Sequence, residues 1–433
     1  MMKSRFDYAI SRVTQGRRVA VAQIAGTLMF LASSMASPVW ALVPNAGPVP
    51  DQYIIKVRAN EHPAAVANEM ALSHGLGVGH VYQHALNGFS ARVPQGRLNA
   101  LRSDRRVVSI VADKYVSIDK PCANPPCGGG GTGTSSQTIP SGILRINGRL
   151  SSTASGDGAG TVDVDVAVID TGIANHPDLN VVGGKNCSTG KGYNDGNGHG
   201  THVAGTIAAK DNNFGVVGVA PGARLWAVRV LNNAGSGTWA SVICGIDFVT
   251  ANAATIEVAN MSLGGSGSEG SCSDGGLHEA ICNSVNAGVT YVVAAGNESD
   301  DAANHVPAAY DEVITASALA DFNGEPGGLG TPTCRPDEDD TLANFSNYGA
   351  DVDIIAPGVC ILSTWNDGGY NTISGTSMAS PHVAGAAALY ISTHPGATPA
   401  QVKEALQTAG SNNWNNADDP DGIKEPLLDV DSF

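Results

Sequence analysis

Apolar and polar positions follow two different patterns along the chain, and the pattern changes near residue 120. Residues 50–118 contain short elements in which apolar side chains alternate with polar ones or recur at helical spacing. Strands and helices are predicted at Gln52–Arg58, Pro63–His74, Asn87–Val93, Gln95–Arg102 and Val107–Val111. We interpret this region as a β-α-β-β-α-β unit, which predicts a small ferredoxin-like α+β domain.

Residues 137–433 have longer apolar stretches and predict a larger α/β domain. Val164–Ile169 and Val289–Ala294 are uniformly apolar runs, as expected for strands of a parallel sheet that is covered on both faces. Helices are predicted at Thr201–Ala209, Ser236–Ala251, Gly276–Ala287, Thr376–His394 and Pro399–Gln407. The alternation predicts a doubly wound, mostly parallel sheet, and such sheets bind ligands at the carboxyl ends of their strands.

Charge is distributed unevenly over the 433 residues, whose net charge is −16. Residues 1–120 have a net charge of +7, whereas residues 121–433 have a net charge of −23. Because an acidic domain is repelled by the phosphate backbone, this distribution argues against nucleic acid as a partner.

The first 41 residues have the pattern of an export signal. Basic residues precede an apolar run at 19–35, and Val39–Ala41 resembles the end of a cleavable signal peptide. We therefore predict a signal peptide at residues 1–41, a secreted extracellular protein, and no membrane association once the signal is removed.

All eight cysteines lie after residue 121, and an even number in the exported part predicts disulfides. Their pairing does not follow from the sequence. Short loops favour Cys122–Cys127 and Cys272–Cys282, Cys334–Cys360 is plausible, and Cys187 is then left with Cys244. A connector at residues 120–136 contains the glycine run 128–131, which predicts a flexible segment that proteases reach.

Three segments carry the residues of nucleophilic catalysis. Asp170 ends the predicted strand in Val166–Gly172, His199 lies in Gly198–Gly205, and Ser377 opens the helix that follows Gly375. A serine at a helix N-terminus lies in a positive field, a histidine takes its proton, and an aspartate orients the histidine. Taken singly, each residue also fits a plain structural role, as a turn aspartate, a helix-start histidine or an N-cap serine.

The three segments, in the order aspartate, histidine, serine, resemble the subtilisin-like serine protease (subtilase) family. The resemblance runs from about Ser136 to about Gly410, and residues 50–118 resemble the subtilisin propeptide, best at Gly88–Ala91. It implies a propeptide or inhibitor domain at 42–119, a maturation region at 120–136 and a catalytic domain at 137–433. It also implies that the propeptide acts as an intramolecular inhibitor and chaperone and is removed autocatalytically.

The resemblance also assigns roles within the site. Asn297 would donate to the oxyanion together with the backbone N–H of Ser377. Two substrate-edge segments, Gly235–Gly237 and Ser262–Gly265, would pair with an extended peptide, which implies broad specificity. Substrate-binding residues would be Gly235, Ser236, Gly237, Trp239, Ser262, Leu263, Gly264, Ala294, Ala295 and Gly296. His202 is interpreted as a packing residue, and His305 leaves the preferred side chain open.

Calcium is the cofactor that the resemblance implies, since mixed side-chain and carbonyl oxygens suit this ion. The first predicted site consists of Gln137, Asp178 and Asn212 with the carbonyls of Lys210, Phe214 and Val216. A second predicted site combines Asp353 with the carbonyls of Asp311 and Val313. The acidic run at 337–340 is interpreted as a solvated loop.

The sequence therefore predicts a secreted, calcium-stabilised, monomeric serine endopeptidase that acts on proteins and peptides. A catalytically inactive peptide-binding homologue is the main alternative, and the intact set of Asp170, His199, Asn297 and Ser377 argues against it. A lipase would need a Gly-x-Ser-x-Gly elbow, which Ser377 lacks. A kexin-like dibasic processing protease would carry a further domain after the catalytic one.

Overall fold

A computed structural model describes residues 47–118 and 136–433. The predicted signal peptide, most of the connector and the Cys122–Cys127 pair lie outside the described residues. In the described part of the chain, no helix is both long enough and apolar enough to cross a membrane.

The N-terminal domain is a four-stranded antiparallel sheet with two helices. Its elements are β1 (Pro48–Val57), α1 (Pro63–His74), β2 (Gly77–Tyr82), β3 (Gly88–Arg92), α2 (Leu98–Arg102) and β4 (Val107–Ser117). The strand order β2-β3-β1-β4 is the predicted ferredoxin-like arrangement. Strand β2 is the one element that the hydrophobic pattern did not locate, because Gly77-Val-Gly-His has little apolar alternation.

The C-terminal domain is built on a sheet of eight mostly parallel strands. The strands of the whole domain, including those outside this sheet, are β5 (Asp165–Asp170), β6 (Val181–Asn186), β7 (Arg224–Arg229), β8 (Ser236–Thr238), β9 (Val258–Met261), β10 (Gly265–Ser266), β11 (Thr290–Ala294), β12 (His305–Val306), β13 (Ile314–Ala320), β14 (Thr341–Leu342), β15 (Ile354–Pro357), β16 (Ile361–Thr364) and β17 (Tyr370–Ile373). The main sheet has the order β14-β13-β11-β9-β5-β7-β6, and β15 pairs with β13. Only the β13–β14 pair in it is antiparallel among the described strands.

Helices cover both faces of this sheet, which confirms the doubly wound prediction. They are α3 (Ser141–Arg145), α4 (His199–Ala208), α5 (Trp239–Ala251), α6 (Leu277–Asn286), α7 (Thr376–Thr393) and α8 (Pro399–Ala409). Helices α4 and α7 share one apolar core, and α5 and α6 share the other. Strand β5 is buried at every residue because it lies between these two layers.

Helix α5 begins three residues later than predicted. Ser236–Thr238 forms strand β8 instead, paired with strand β4 of the N-terminal domain. Thr238 then caps the helix, with its hydroxyl accepting from the N–H of Ser241 at 3.4 Å. A partner more than a hundred residues away in sequence therefore sets this helix boundary.

Three of the predicted disulfides are confirmed, namely Cys187–Cys244, Cys272–Cys282 and Cys334–Cys360. Their Cα–Cα separations of 5.9, 5.7 and 5.8 Å are ordinary for disulfides. All three lie within the C-terminal domain. The first ties the loop after β6 to α5, the helix that follows a substrate-edge segment.

Candidate active site

Asp170 and His199 meet at the carboxyl end of the central strand. Asp170 is the last residue of β5 and is fully buried, and His199 is the first residue of α4. The His199 Nδ1 atom lies 2.9 Å from each carboxylate oxygen of Asp170. A proton held on Nδ1 by this contact leaves Nε2 as the nitrogen that can accept a proton.

Ser377 is the second residue of α7, in the first turn of a helix that is buried along most of its length. Its hydroxyl donates to the carbonyl of Ser262 at 3.3 Å, and the hydroxyl of Ser262 in turn donates to the carbonyl of Ser377 at 2.9 Å. The N–H groups of a first helical turn have no partner within the helix. Ser377 is therefore a hydroxyl beside backbone donors at the positive end of a helix.

Asn297 follows β11 and contacts the start of the same helix. Its side-chain oxygen accepts from the N–H of Thr376 at 2.8 Å and from the Thr376 hydroxyl at 3.1 Å. Its Nδ2 atom is buried and has no hydrogen-bond partner in the described part of the chain. Because an unpaired buried donor costs about 1–3 kcal/mol, this atom is suited to bond an oxygen that arrives with a ligand.

Asp195 is a buried residue near the Asp170–His199 pair, and the sequence analysis did not single it out. Its carboxylate accepts five hydrogen bonds, from the Thr171 hydroxyl, the backbone N–H groups of Asn197, Gly198 and Thr201, and the Thr201 hydroxyl. Through Asp195, these bonds connect Thr171, which follows Asp170, to residues that precede and follow His199 in the sequence. The only sequence signal for this role is an aspartate four positions before the histidine.

The end of β4 lies between the two predicted substrate-edge segments. Tyr115–Ser117 pairs antiparallel with β8, and the N–H of Ile118 donates to the carbonyl of Gly235 at 2.9 Å. On the other side, the N–H of Gly264 donates to the carbonyl of Ser117 at 3.3 Å. The chain itself therefore places an extended strand where an added peptide strand was predicted.

The predicted pocket residues are buried. Trp239, Leu263, Ala294 and Ala295 each expose 6% or less of their surface. Gly296 has a φ of 110°, and a Cβ there would lie 2.2 Å from the amide nitrogen of Asn347, so the position requires glycine.

Two histidines near the site have structural partners. His202 is fully buried, and its Nε2 atom faces the carbonyls of Ile361 at 2.9 Å and Asn371 at 3.2 Å. Burial lowers the pKa of His202 to about 3, so the ring stays neutral, as its interpretation as a packing residue requires. His305 faces the carboxylate of Asp300 at 3.1 Å.

The structure brings together most of the residues of the first predicted calcium site. The Gln137 side-chain amide lies 2.9 Å from the carbonyl of Lys210 and 3.3 Å from that of Val216. The Asn212 amide lies 2.7 Å from Asp178, whose buried carboxyl group has a raised pKa because of desolvation. Phe214 lies in the same loop, with its N–H bonded to the side-chain oxygen of Asn212 at 2.8 Å.

At the second predicted calcium site, a lysine faces the three predicted ligands. The Lys403 ammonium group donates to the carbonyls of Asp311 at 3.1 Å and Val313 at 2.8 Å. The same nitrogen lies 2.8 Å from the carboxylate of Asp353. All three predicted ligands are thus satisfied by a positive charge from α8, 50 residues beyond Asp353 in the sequence.

Comparison with known proteins gives consistent matches over both domains. The family model "Subtilase family" matches residues 161–422, and "Peptidase inhibitor I9" matches residues 52–119. Subtilisin DY of Bacillus licheniformis is 42% identical over 282 residues, which are 64% of this chain and 93% of that protein. The extracellular serine proteinase of Thermus sp. (strain Rt41A) is 40% identical over 403 residues, 87% of this chain and 88% of that protein.

A solved structure agrees with these sequence matches. The crystal structure of a cold adapted subtilisin-like serine proteinase has 36% sequence identity and a TM-score of 0.54. The match covers 66% of this chain and 97% of that chain. The family model spans more than half of the sequence, and the fold agrees with it. The chain therefore belongs to the subtilase family and is a subtilisin-like serine endopeptidase with an N-terminal I9 inhibitor domain.

Proposed function

We propose that this protein is exported as an inactive precursor, removes its own residues 42–119, and then hydrolyses peptide bonds of proteins with broad specificity. The observation that carries the proposal is the buried Asp170–His199 pair, on the same sheet edge as a helix-start serine and a cleft that already holds an extended strand. The relative from Thermus is named as extracellular, which supports export.

The proposed chemistry assigns one task to each catalytic side chain. The Ser377 hydroxyl attacks the carbonyl carbon of the substrate while its proton moves to Nε2 of His199. Asp170 holds the ring in place and stabilises the imidazolium that forms. His199 then gives the proton to the departing amine, and water hydrolyses the acyl-enzyme by the same steps.

Asn297 and the Ser377 backbone are the proposed oxyanion donors. The side-chain oxygen of Asn297 is already bonded to Thr376, so its free Nδ2 hydrogens remain for a ligand. The negative oxygen exists only after attack, and donors that wait in fixed positions stabilise it without reorganising.

We propose that a bound substrate strand pairs with the same two segments as β4 does. Backbone groups at Gly235 and Gly264 bond the strand on either side, and neither bond depends on the identity of the bound side chain. Such pairing gives affinity for extended peptides in general. Trp239 and the walls at 294–296 are then left to select side chains by size.

The same contacts support inhibition by the propeptide. The Asp247 carboxylate of α5 accepts three backbone N–H groups of the N-terminal domain, from Gln83, His84 and Ala85, at 2.6–2.9 Å. Lys56 forms an ion pair with Glu279 of α6 at 2.5 Å. A domain attached to both helices holds its last strand in the cleft and thereby blocks substrate. We place the maturation cut between residues 118 and 137.

We propose one structural calcium ion at the first predicted site, held by Gln137, Asp178 and Asn212 with the carbonyls of Lys210, Phe214 and Val216. The donor set fits the ion. Rotating the side-chain amides of Gln137 and Asn212 by a half-turn puts an oxygen where each nitrogen now lies, beside the Asp178 carboxylate and the backbone carbonyls. The ion would tie the start of the catalytic domain to the 210–216 loop. We further propose that the mature enzyme is a monomer.

A digestion experiment tests the proposal directly. Purified protein is incubated with casein, with and without a covalent serine-directed inhibitor, and the inhibitor-treated sample should lose all turnover. No digestion by the processed protein would favour the inactive peptide-binding homologue. Cleavage only after paired basic residues would favour the kexin-like alternative.

A further inference from the structure

His199 is the first residue of α4, and one carboxylate fixes the backbone on both sides of it. Asp195 is 2% exposed, and its two oxygens accept hydrogen bonds at 2.7–3.0 Å. One oxygen accepts from the N–H of Gly198, directly before His199, and the other accepts from the N–H of Thr201, two residues after it. A shift of the His199 backbone therefore breaks at least one of these bonds.

Asp195 takes the place of the residue that normally caps a helix. The N-cap of α4 is Gly198, which has no side chain to accept from the N–H groups of the first turn. Gly198 has a φ of 112°, and a Cβ there would overlap the indole ring of Trp365, so the position cannot carry a capping side chain. The capping oxygens come instead from three residues earlier in the chain.

The same carboxylate joins the start of α4 to the strand that carries Asp170. The Thr171 hydroxyl donates to Asp195 at 2.9 Å and accepts from the N–H of Gly200 at 2.9 Å. Thr171 directly follows Asp170, and its N–H donates to the Asp170 carboxylate at 2.6 Å. These bonds fix the end of β5 against the start of α4, and so they fix Asp170 relative to the His199 ring.

The charge of Asp195 also acts on His199. The N-terminus of a helix carries a partial positive charge, which disfavours an imidazolium at that position. A carboxylate that accepts from the N–H groups of the same turn offsets this charge and favours the protonated ring. Asp195 therefore counteracts the effect of the helix on the residue that starts it.

The other titratable groups beside α4 do not have this effect. His202 of α4 and His382 of α7 are buried, and burial lowers the pKa of the first to about 3 and the pKa of the second to about 4, so both rings stay neutral. Arg229 of β7 is a cation, and its guanidinium donates to the carbonyl of Asn194 at 3.2 Å. Within the described residues, the carboxylates that bond this end of α4 belong to the residues at 170 and 195.

We propose that Asp195 is a positioning residue for His199 in the proposed reaction. Its carboxylate holds the histidine within hydrogen-bond distance of Asp170, and its charge helps to stabilise the imidazolium that forms when Ser377 attacks. This role rests on the proposed function, in which His199 takes the proton of Ser377. It adds a second carboxylate that acts through the backbone and the electrostatic field.

Asp195→Asn tests the proposal, because it keeps the shape of the side chain, replaces one acceptor oxygen with a donor and removes the charge. Steady-state kinetics of the processed enzyme on a peptide substrate should show kcat lowered roughly 10²-fold with little change in KM, as expected for a misplaced catalytic group. The acid limb of the kcat/KM profile should move to lower pH by roughly half a unit or more, since a nearby imidazole is harder to protonate without the negative charge.

Two variants provide controls. Asp339→Asn is matched in burial and chemistry, because the Asp339 carboxylate is buried and accepts from the N–H groups of Phe322 at 2.8 Å and Gly330 at 2.7 Å. It should lower the melting temperature and leave kcat and the acid limb unchanged. Thr171→Val removes one donor to Asp195 and keeps the charge, so kcat should fall severalfold while the acid limb stays in place.

An unchanged kcat for Asp195→Asn would overturn the proposal, and so would a loss of kcat without a shift of the acid limb, which indicates a purely structural role. Should Asp195→Asn fail to fold or mature, an unchanged kcat for Thr171→Val overturns it instead. Ser377→Ala separates this test from that of the proposed function. If Ser377→Ala still turns over substrate, the proposed chemistry fails; if it is inactive while Asp195→Asn is normal, only the role of Asp195 fails.

Discussion

The two domains of this protein are stabilised in different ways. The inhibitor domain has a small apolar core around Ile55, Met70 and Phe89, and residues 42–119 contain no cysteine. The catalytic domain has a sheet covered on both faces and three disulfides. The inhibitor domain is also bonded to the catalytic domain, through Asp247 and through the Lys56–Glu279 ion pair, whereas the catalytic domain is cross-linked within itself.

The largest effect is expected when the two domains cannot separate. Ser377→Ala removes the nucleophile, so the precursor should remain uncut and casein hydrolysis should fall to about 10³–10⁴-fold over the uncatalysed rate. Gel analysis of the secreted protein and a casein assay measure both effects. Ser392→Ala, at the far end of α7, is the control and should mature normally. Normal processing of Ser377→Ala would refute the nucleophile assignment.

Asn297→Leu should separate the chemical step from binding. It removes the free Nδ2 donor, and we expect kcat to fall by roughly 10²–10³ with little change in KM, because the oxyanion forms only after attack. Steady-state kinetics on a peptide substrate measure the two constants. A change mainly in KM would mean that Asn297 contacts the bound substrate before reaction.

Asp247→Ala tests how much the contact with Asp247 contributes to inhibition by the inhibitor domain. The variant loses an acceptor for three backbone N–H groups, and hydrogen bonds to a charged group contribute about 1.5–3 kcal/mol each. Inhibition of the mature variant by added 42–119 fragment should weaken roughly 30-fold or more. Casein hydrolysis by the variant should be unchanged, and equal inhibition of both enzymes would contradict the contact.

Chelation tests whether bound calcium stabilises the catalytic domain. An ion that binds only the folded state at 100 times its Kd stabilises by about 2.7 kcal/mol. EDTA should therefore lower the melting temperature of the Ser377→Ala protein by several degrees, and Asp178→Asn should reduce this response. Removal of autolysis by Ser377→Ala keeps the measurement one of stability. An unchanged melting temperature would argue against every calcium ion proposed here.

The smallest expected effect concerns pH and Asp113. Burial at the domain interface raises the pKa of this carboxyl group, against opposing hydrogen bonds from Ala240, Thr238 and Gln52. A group whose pKa is raised on association takes up a proton, so the complex is favoured below the ordinary value of about 4 and weakens as pH rises. Inhibition constants measured across pH should change less with Asp113→Asn than with the unsubstituted fragment. A steeper profile for Asp113→Asn would contradict this sign.

The local part of the site was accessible from the sequence. Asp170, His199 and Ser377 each lie at the end of a strand or the start of a helix, and such positions follow from hydrophobic patterns and short motifs. The ferredoxin-like and doubly wound folds followed from the same patterns.

The features that could not be predicted depend on contacts between residues that are far apart in the sequence. Strand β8 replaced the predicted start of α5 because β4 pairs with it, and Lys403 occupies a predicted calcium site because α8 passes beside Asp353. The five hydrogen bonds to Asp195 come from both sides of His199 and arise only when strand and helix meet. Long-range placement decides such contacts, and no local pattern encodes them.

The first residues of helix α5 lie at both the proposed substrate pocket and the inhibitor domain. This limits which substitutions can alter one contact without altering the other. Trp239 is a proposed residue of the substrate pocket, and the next residue, Ala240, bonds the inhibitor domain through Asp113 and Tyr82. A substitution that reshapes the pocket thus also alters the seat of the inhibitor. New specificity obtained by engineering will therefore require a matching propeptide, and the two segments should be selected together as one unit.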